Sequence, residues 1–167
     1  MLEKTRLRIE LASGVAVLGV ALTPLAIAET NVPTPARSGT ATFFQGRGIA
    51  QGATFAKGRN TNISLTLDGE NFGLEMNEIL PSNTRNQQAG RVQYRGVILR
   101  RTDEPSKPNS FSLNTRVRSF DSSANLRVLT NTTGTCRVEV FNSRVIASNC
   151  NTVANDSSTQ FLGLEQF

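Results

Sequence analysis

Cys136 and Cys150 are the only cysteines of this 167-residue chain, and the stretch joining them alternates like a β-strand on either side of a polar Asn142-Ser143 tip. A hairpin that sets the cysteines opposite each other also pairs Val138 with Ser148 and Val140 with Ile146. Cys136, Val138, Val140, Ile146, Ser148 and Cys150 then share one face, because strand side chains repeat with period two. A disulfide there clamps the open end of the hairpin, and closing a loop of this length is worth about 3 kcal/mol in the chain-entropy model. The chain is therefore expected to contain an antiparallel sheet and to mature in an oxidising compartment.

The N-terminus is consistent with that compartment. Lys4, Arg6 and Arg8 precede an apolar run from Leu11 to Ala28, interrupted by Ser13, Thr23 and Pro24, and Ala26-Ile27-Ala28 forms a small-residue cleavage site. A membrane anchor would need a run of about 20 apolar residues. Pro24 and the small residues at the cleavage point favour removal instead. Residues 1–28 are thus expected to be a cleaved signal peptide, 29–39 a spacer stiffened by Pro33 and Pro35, and 40–167 a single β-rich domain. The expected location is secreted or periplasmic, with no stable membrane span after cleavage. Losing residues 1–28 takes the net charge from +5 to +4, and nearly all remaining cations are arginine. Arginine's planar fork suits carboxylate, sulfate or phosphate.

Strand patterns fill the rest of the chain. Ile63, Leu65 and Leu67, then Phe72, Leu74 and Met76, alternate with polar residues around Asp68-Gly69-Glu70-Asn71. Pairing 67 with 72, 65 with 74 and 63 with 76 gives a hairpin with one apolar face. Between Thr40 and Lys57 a strand places Gly46, Gly48 and Ala50 on one face, as at a bend or a close backbone approach. Further strands are expected at 91–101, 110–118, 125–130 and 161–164, the last at an edge, with 131–134 as a turn and 151–160 as a loose polar segment. No segment keeps helical periodicity over three turns. The fold class is all-β: one antiparallel sandwich or partly closed barrel of about 8–10 short strands, with one disulfide-clamped hairpin.

Little in the chain suggests catalysis. It has no histidine, and both cysteines are assigned to the disulfide, so the common transition-metal sets and the Ser–His and Cys–His nucleophile pairs are missing. No metal or other cofactor is expected. Gly46, Gly48 and Gly52 miss the dinucleotide spacing by one residue, and Asp68-Gly69-Glu70-Asn71 is too sparse in acids for a calcium loop. Glu75 and Glu78 offer the one catalytic alternative, a paired-carboxylate glycoside hydrolase. A structural or protein-inhibitory domain without a small ligand is the other alternative. With one tyrosine and no tryptophan, the chain lacks the stacking platforms of a nucleic-acid binder.

The leading expectation is a non-catalytic binding module. If Ile98 lies opposite Leu113, Arg95 falls opposite Arg116, with Arg91 and Arg118 on the same face. Such a face suits an anionic glycan or an acidic protein. Shifting the register by one residue would disperse it.

Overall fold

The hairpin from Asn60 to Glu78 forms as its alternation demands. In the computed structural model, which describes residues 40–82, 88–124 and 127–164, β2 (Asn60–Asp68) and β3 (Asn71–Glu78) pair Leu67 with Phe72, Leu65 with Leu74 and Ile63 with Met76. All six side chains are buried, each contributing about 1.5–3 kcal/mol. Gly69 occupies the first turn position at a φ of 58°, which glycine adopts without steric cost. The expected signal peptide (1–28) and spacer (29–39) lie outside the described residues.

Six further strands complete the molecule: β1 (Thr42–Gln51), β4 (Arg91–Asp103), β5 (Phe111–Ser122), β6 (Arg127–Phe141), β7 (Arg144–Thr152) and β8 (Thr159–Gly163). They form one closed barrel in chain order, with β8 returning to pair with β1. The choice between sandwich and barrel is therefore settled as a barrel. The 161–164 segment is not an edge: Leu162 pairs with Ala147 on one side and Ile49 on the other. Closure depends on the glycine face of β1. A Cβ on Gly48 would run into the Leu162 carbonyl oxygen, so the two strands approach this closely only because none is there.

An eight-strand ring encloses a space that side chains can fill. Here Leu65, Leu74, Met76, Tyr94, Leu113, Val138 and Phe161 fill it, each with no accessible surface. The outer wall over β3 to β6 is polar instead, the reverse of a lipid-facing barrel.

The cystine hairpin keeps the two expected pairs at its open end but not the one nearest the turn. Cys136 lies opposite Cys150, the two joined by a buried disulfide, and Val138 lies opposite Ser148. Asn142 and Ser143 both have positive φ (48° and 64°), giving a two-residue turn that sets Phe141 opposite Arg144. Counting back from that turn would place Cys136 opposite Asn149, one residue short of the disulfide. An extra residue in β7 absorbs the conflict: Glu139 faces Ala147 while Val140 faces Val145, so Ile146 is bulged. Val145 takes the core position expected of Ile146. The disulfide is consistent with an oxidising, extracellular environment.

Two other expectations change. Residues 131–134 do not turn the chain but swell out of a continuous β6, between the Ser119–Thr130 and Val117–Gly134 pairs. The polar segment 151–160 is ordered: Asn151 and Thr152 belong to β7, and Ser157 is buried. The Ser157 hydroxyl donates to the Ala154 carbonyl at 2.8 Å, with the Thr152 carbonyl within reach at 3.1 Å as an alternative acceptor, and accepts from the Thr152 amide. This loop plugs one end of the barrel, where the Tyr94 hydroxyl meets the Ser157 carbonyl and Thr159 Oγ1.

Candidate functional site

The register of β4 against β5 decides where the arginines stand, and two bulges set it. Arg95 pairs with Ser119 but Gly96 pairs with Val117, which leaves Arg118 as an extra residue in β5. Ile98 pairs with Thr115 but Arg100 pairs with Asn114, which leaves Leu99 extra in β4. The expected pairs are corrected accordingly: Ile98 faces Thr115 and not Leu113, and Arg95 faces Ser119 and not Arg116. The slip does not disperse the cluster. Arg116 stands opposite Val97 and Arg118 points outward beside Ser119, because a bulge puts two consecutive side chains on one side. Arg95, Arg116 and Arg118 are all exposed on the outer wall, joined by Arg100 across from Asn114.

Their directly paired residues are uncharged, although the Asp68 and Glu75 carboxylates stand near Arg95. Arg95 is flanked by Gly73 and Ser119, Arg116 by Val97 and Thr135, and Arg100 by Asn114. Among the described residues none of the four makes a hydrogen bond or an ion pair. Diagonal neighbours across a strand pair stand about 7–8 Å apart, where two like charges repel by only about 0.6 kcal/mol in water. The fold tolerates this concentration of positive charge because it is solvated.

Arg91 is different. Its Nε donates to Glu75 at 3.1 Å, its Nη1 to Asp121 at 3.1 Å and its Nη2 to Gln93 at 3.4 Å. The Glu75 hydrogen bond, followed by the Glu75 and Asp121 charges, raises the Arg91 pKa above its ordinary value against the cost of burial. Glu75 is held below the usual carboxylate range, chiefly by the Asn77 side-chain amide and then by Arg91. Of the four arginines expected to bind, one is therefore neutralised within the fold. The charge on this wall is segregated, balanced at the Arg91 end and positive from Arg95 to Arg100.

Gly73 adds relief. Because it has no side chain, a depression of about 300 Å³ opens beside Arg95, with Thr66, Asp68, Asn71 and Gln93 around it. A Cβ on Gly73 would meet nothing closer than Thr66 Cβ at 3.9 Å, so the space is open rather than strained. The depression offers donors and acceptors next to a guanidinium fork, which suits a ligand carrying both hydroxyls and anionic groups.

The carboxylates of the catalytic alternative are not brought together. Glu75 lies on the outer wall, whereas Glu78 is buried at the barrel end. There Glu78 accepts from the Gly90 and Ala56 amides at 2.9 and 3.2 Å and lies 3.6 Å from Arg59. Two groups on opposite faces of one strand cannot flank a glycosidic bond. Among the described residues no group of three or more histidine, cysteine, aspartate or glutamate side chains is arranged to hold a metal ion. Compared with protein-family models, curated proteins and solved structures, the chain matches none.

Proposed function

We propose that this barrel is an exported module that binds an anionic glycan on the wall formed by β3, β4 and β5, without turning it over. Arg95, Arg100, Arg116 and Arg118 supply forks for sulfate or carboxylate groups, and the Gly73 depression receives a sugar unit beside Arg95. The observation that carries the reading is the contrast within one strand pair. Arg91 is paired with two acids, while the next four arginines along the wall face serine, valine, asparagine, threonine and glycine. An acidic protein is the alternative ligand for the same arginines. The N-terminal pattern and the disulfide support export.

Retention on an immobilised sulfated polysaccharide tests the reading. The wild-type barrel is expected to bind, and the variant R95A/R116A/R118A to elute at clearly lower salt. Equal retention of the two proteins would refute the assignment.

A further inference from the structure

The outer wall has a second recess, and it originates in the way the barrel closes. β8 covers only the Gly48–Gln51 part of β1. Beyond it, Leu164 is held by one backbone hydrogen bond to the Arg47 carbonyl, and β1 continues to Thr42 with a single pairing to β7, Gln45 with Arg144. The short strand leaves a notch in the wall between β1 and β7. The floor is Gly46, where a Cβ would strike the Val145 carbonyl oxygen. The result is a groove of about 470 Å³ lined by Phe43, Gln45, Arg47, Asn62 and Arg144. A second depression of about 310 Å³ shares Gln45 and Asn62 with it and extends it over β2 to Asn77.

The chemistry of this lining is specific. Phe43 is 67% exposed and presents its ring to the groove. Arg47 and Arg144 are exposed and, among the described residues, form no hydrogen bond or ion pair through their side chains. Gln45 and Asn62 each present a planar amide that can donate and accept at once. An aromatic face, two guanidinium forks and two amides together fit a pyranose carrying a carboxylate. Its C–H face lies on the ring, its carboxylate on a fork, and adjacent hydroxyls on the amides.

We infer that the groove at the β1–β7 seam is a binding site for a uronate-type sugar unit, distinct from the arginine wall. The seam groove reaches over β2 to Asn77 of β3, while the depression beside Arg95 lies further along the same β2–β3 hairpin at Thr66, Asp68 and Gly73, so the two recesses are separate but neighbouring. Where the reading of the arginine wall also holds, on which this consequence rests, the barrel offers two glycan subsites.

Titration of the full domain with a short oligogalacturonide, followed by calorimetry and by NMR of the Phe43 ring, tests the inference. Two sites per chain are expected in the wild type, with Phe43 ring shifts on binding. F43A and R47A/R144A change only exposed side chains, and each is expected to weaken the seam site, R47A/R144A by about tenfold to a hundredfold, the loss that accompanies removal of charged hydrogen bonds. The wall variant R95A/R116A/R118A keeps the seam site. Unchanged affinity and site number in both seam variants would overturn the inference. If the wall variant instead retains both sites, the arginine wall is refuted and the seam stands.

Discussion

Tyr94 gives the most quantitative test of the barrel's construction. It is the only tyrosine of the chain, which has no tryptophan, so its ionisation can be followed alone in the near-ultraviolet tyrosinate band. Its ring has no exposed surface and packs on Phe120 with centroids 5.0 Å apart, while its hydroxyl donates to the Ser157 carbonyl beside Thr159. Burial pushes its pKa up to about 12 from an ordinary 10.0, with the Thr159 hydrogen bond pulling slightly the other way. The native state thus holds the phenol proton where the unfolded chain has lost it. The stabilisation is complete below about pH 10 and is lost as pH rises from 10 towards 12. At about 1.4 kcal/mol per pKa unit, the loss by pH 12 is about 2 kcal/mol, and it approaches its limit of about 3 kcal/mol only above pH 12. A phenolate would also face the Ser157 carbonyl and loosen the β7–β8 plug. Denaturant melts between pH 9 and pH 12 should show the decline in the wild type and a flatter profile in Tyr94→Phe. That variant should already be weaker by about 1–3 kcal/mol near neutrality, where Ser157 and Thr159 lose a partner. Lys57 and Lys107 are exposed and common to both proteins, so they cancel in the comparison. A native tyrosinate transition near 10, or the same alkaline loss in the phenylalanine variant, would refute the reasoning.

Three further outcomes are expected. Replacing both Cys136 and Cys150 by alanine should lower stability by about 2–4 kcal/mol in a denaturant melt, and reduction of the wild type should match it. Gly48→Ala should destabilise the barrel by more than about 1 kcal/mol and speed amide exchange on β8 before β3, because the Leu162 carbonyl must give way. Gly73→Gln should leave the melting temperature nearly unchanged, since the added side chain enters open space, yet weaken polyanion binding by filling the depression beside Arg95.

Much of this fold is legible in the residues, and the exceptions have identifiable causes. The β2–β3 register follows from strict alternation and a glycine at the turn, two signals that agree on one pairing. In the cystine hairpin the signals disagree by one residue: the Asn142-Ser143 turn demands one register and the disulfide another. Nothing in the hydrophobic pattern says that Ile146 will absorb the difference. The bulges at Leu99 and Arg118 carry no sequence mark either, so the Arg95–Ser119 and Val97–Arg116 pairs could not be read from the pattern, although both arginines do stand on one wall. Ser157 and Thr159 are core residues bound through hydrogen bonds, and a reading based on apolar periodicity passes over them. Arg91 resembles its neighbours in sequence. Only the closed sheet brings Glu75 and Asp121 to it from the flanking strands. The same closure creates the seam groove, which depends on the unequal lengths of β1 and β8 rather than on any local motif.

The dependence of polyanion affinity on salt tests the proposed function most directly. With a sulfated oligosaccharide, the affinity of the wild-type domain should fall steeply as sodium chloride rises from about 50 to 200 mM. The slope of log affinity against log salt should become shallower by about 0.7–0.9 for each of Arg95, Arg116 and Arg118 removed. A wild-type affinity indifferent to salt, or a slope unchanged in R95A/R116A/R118A, would contradict the account.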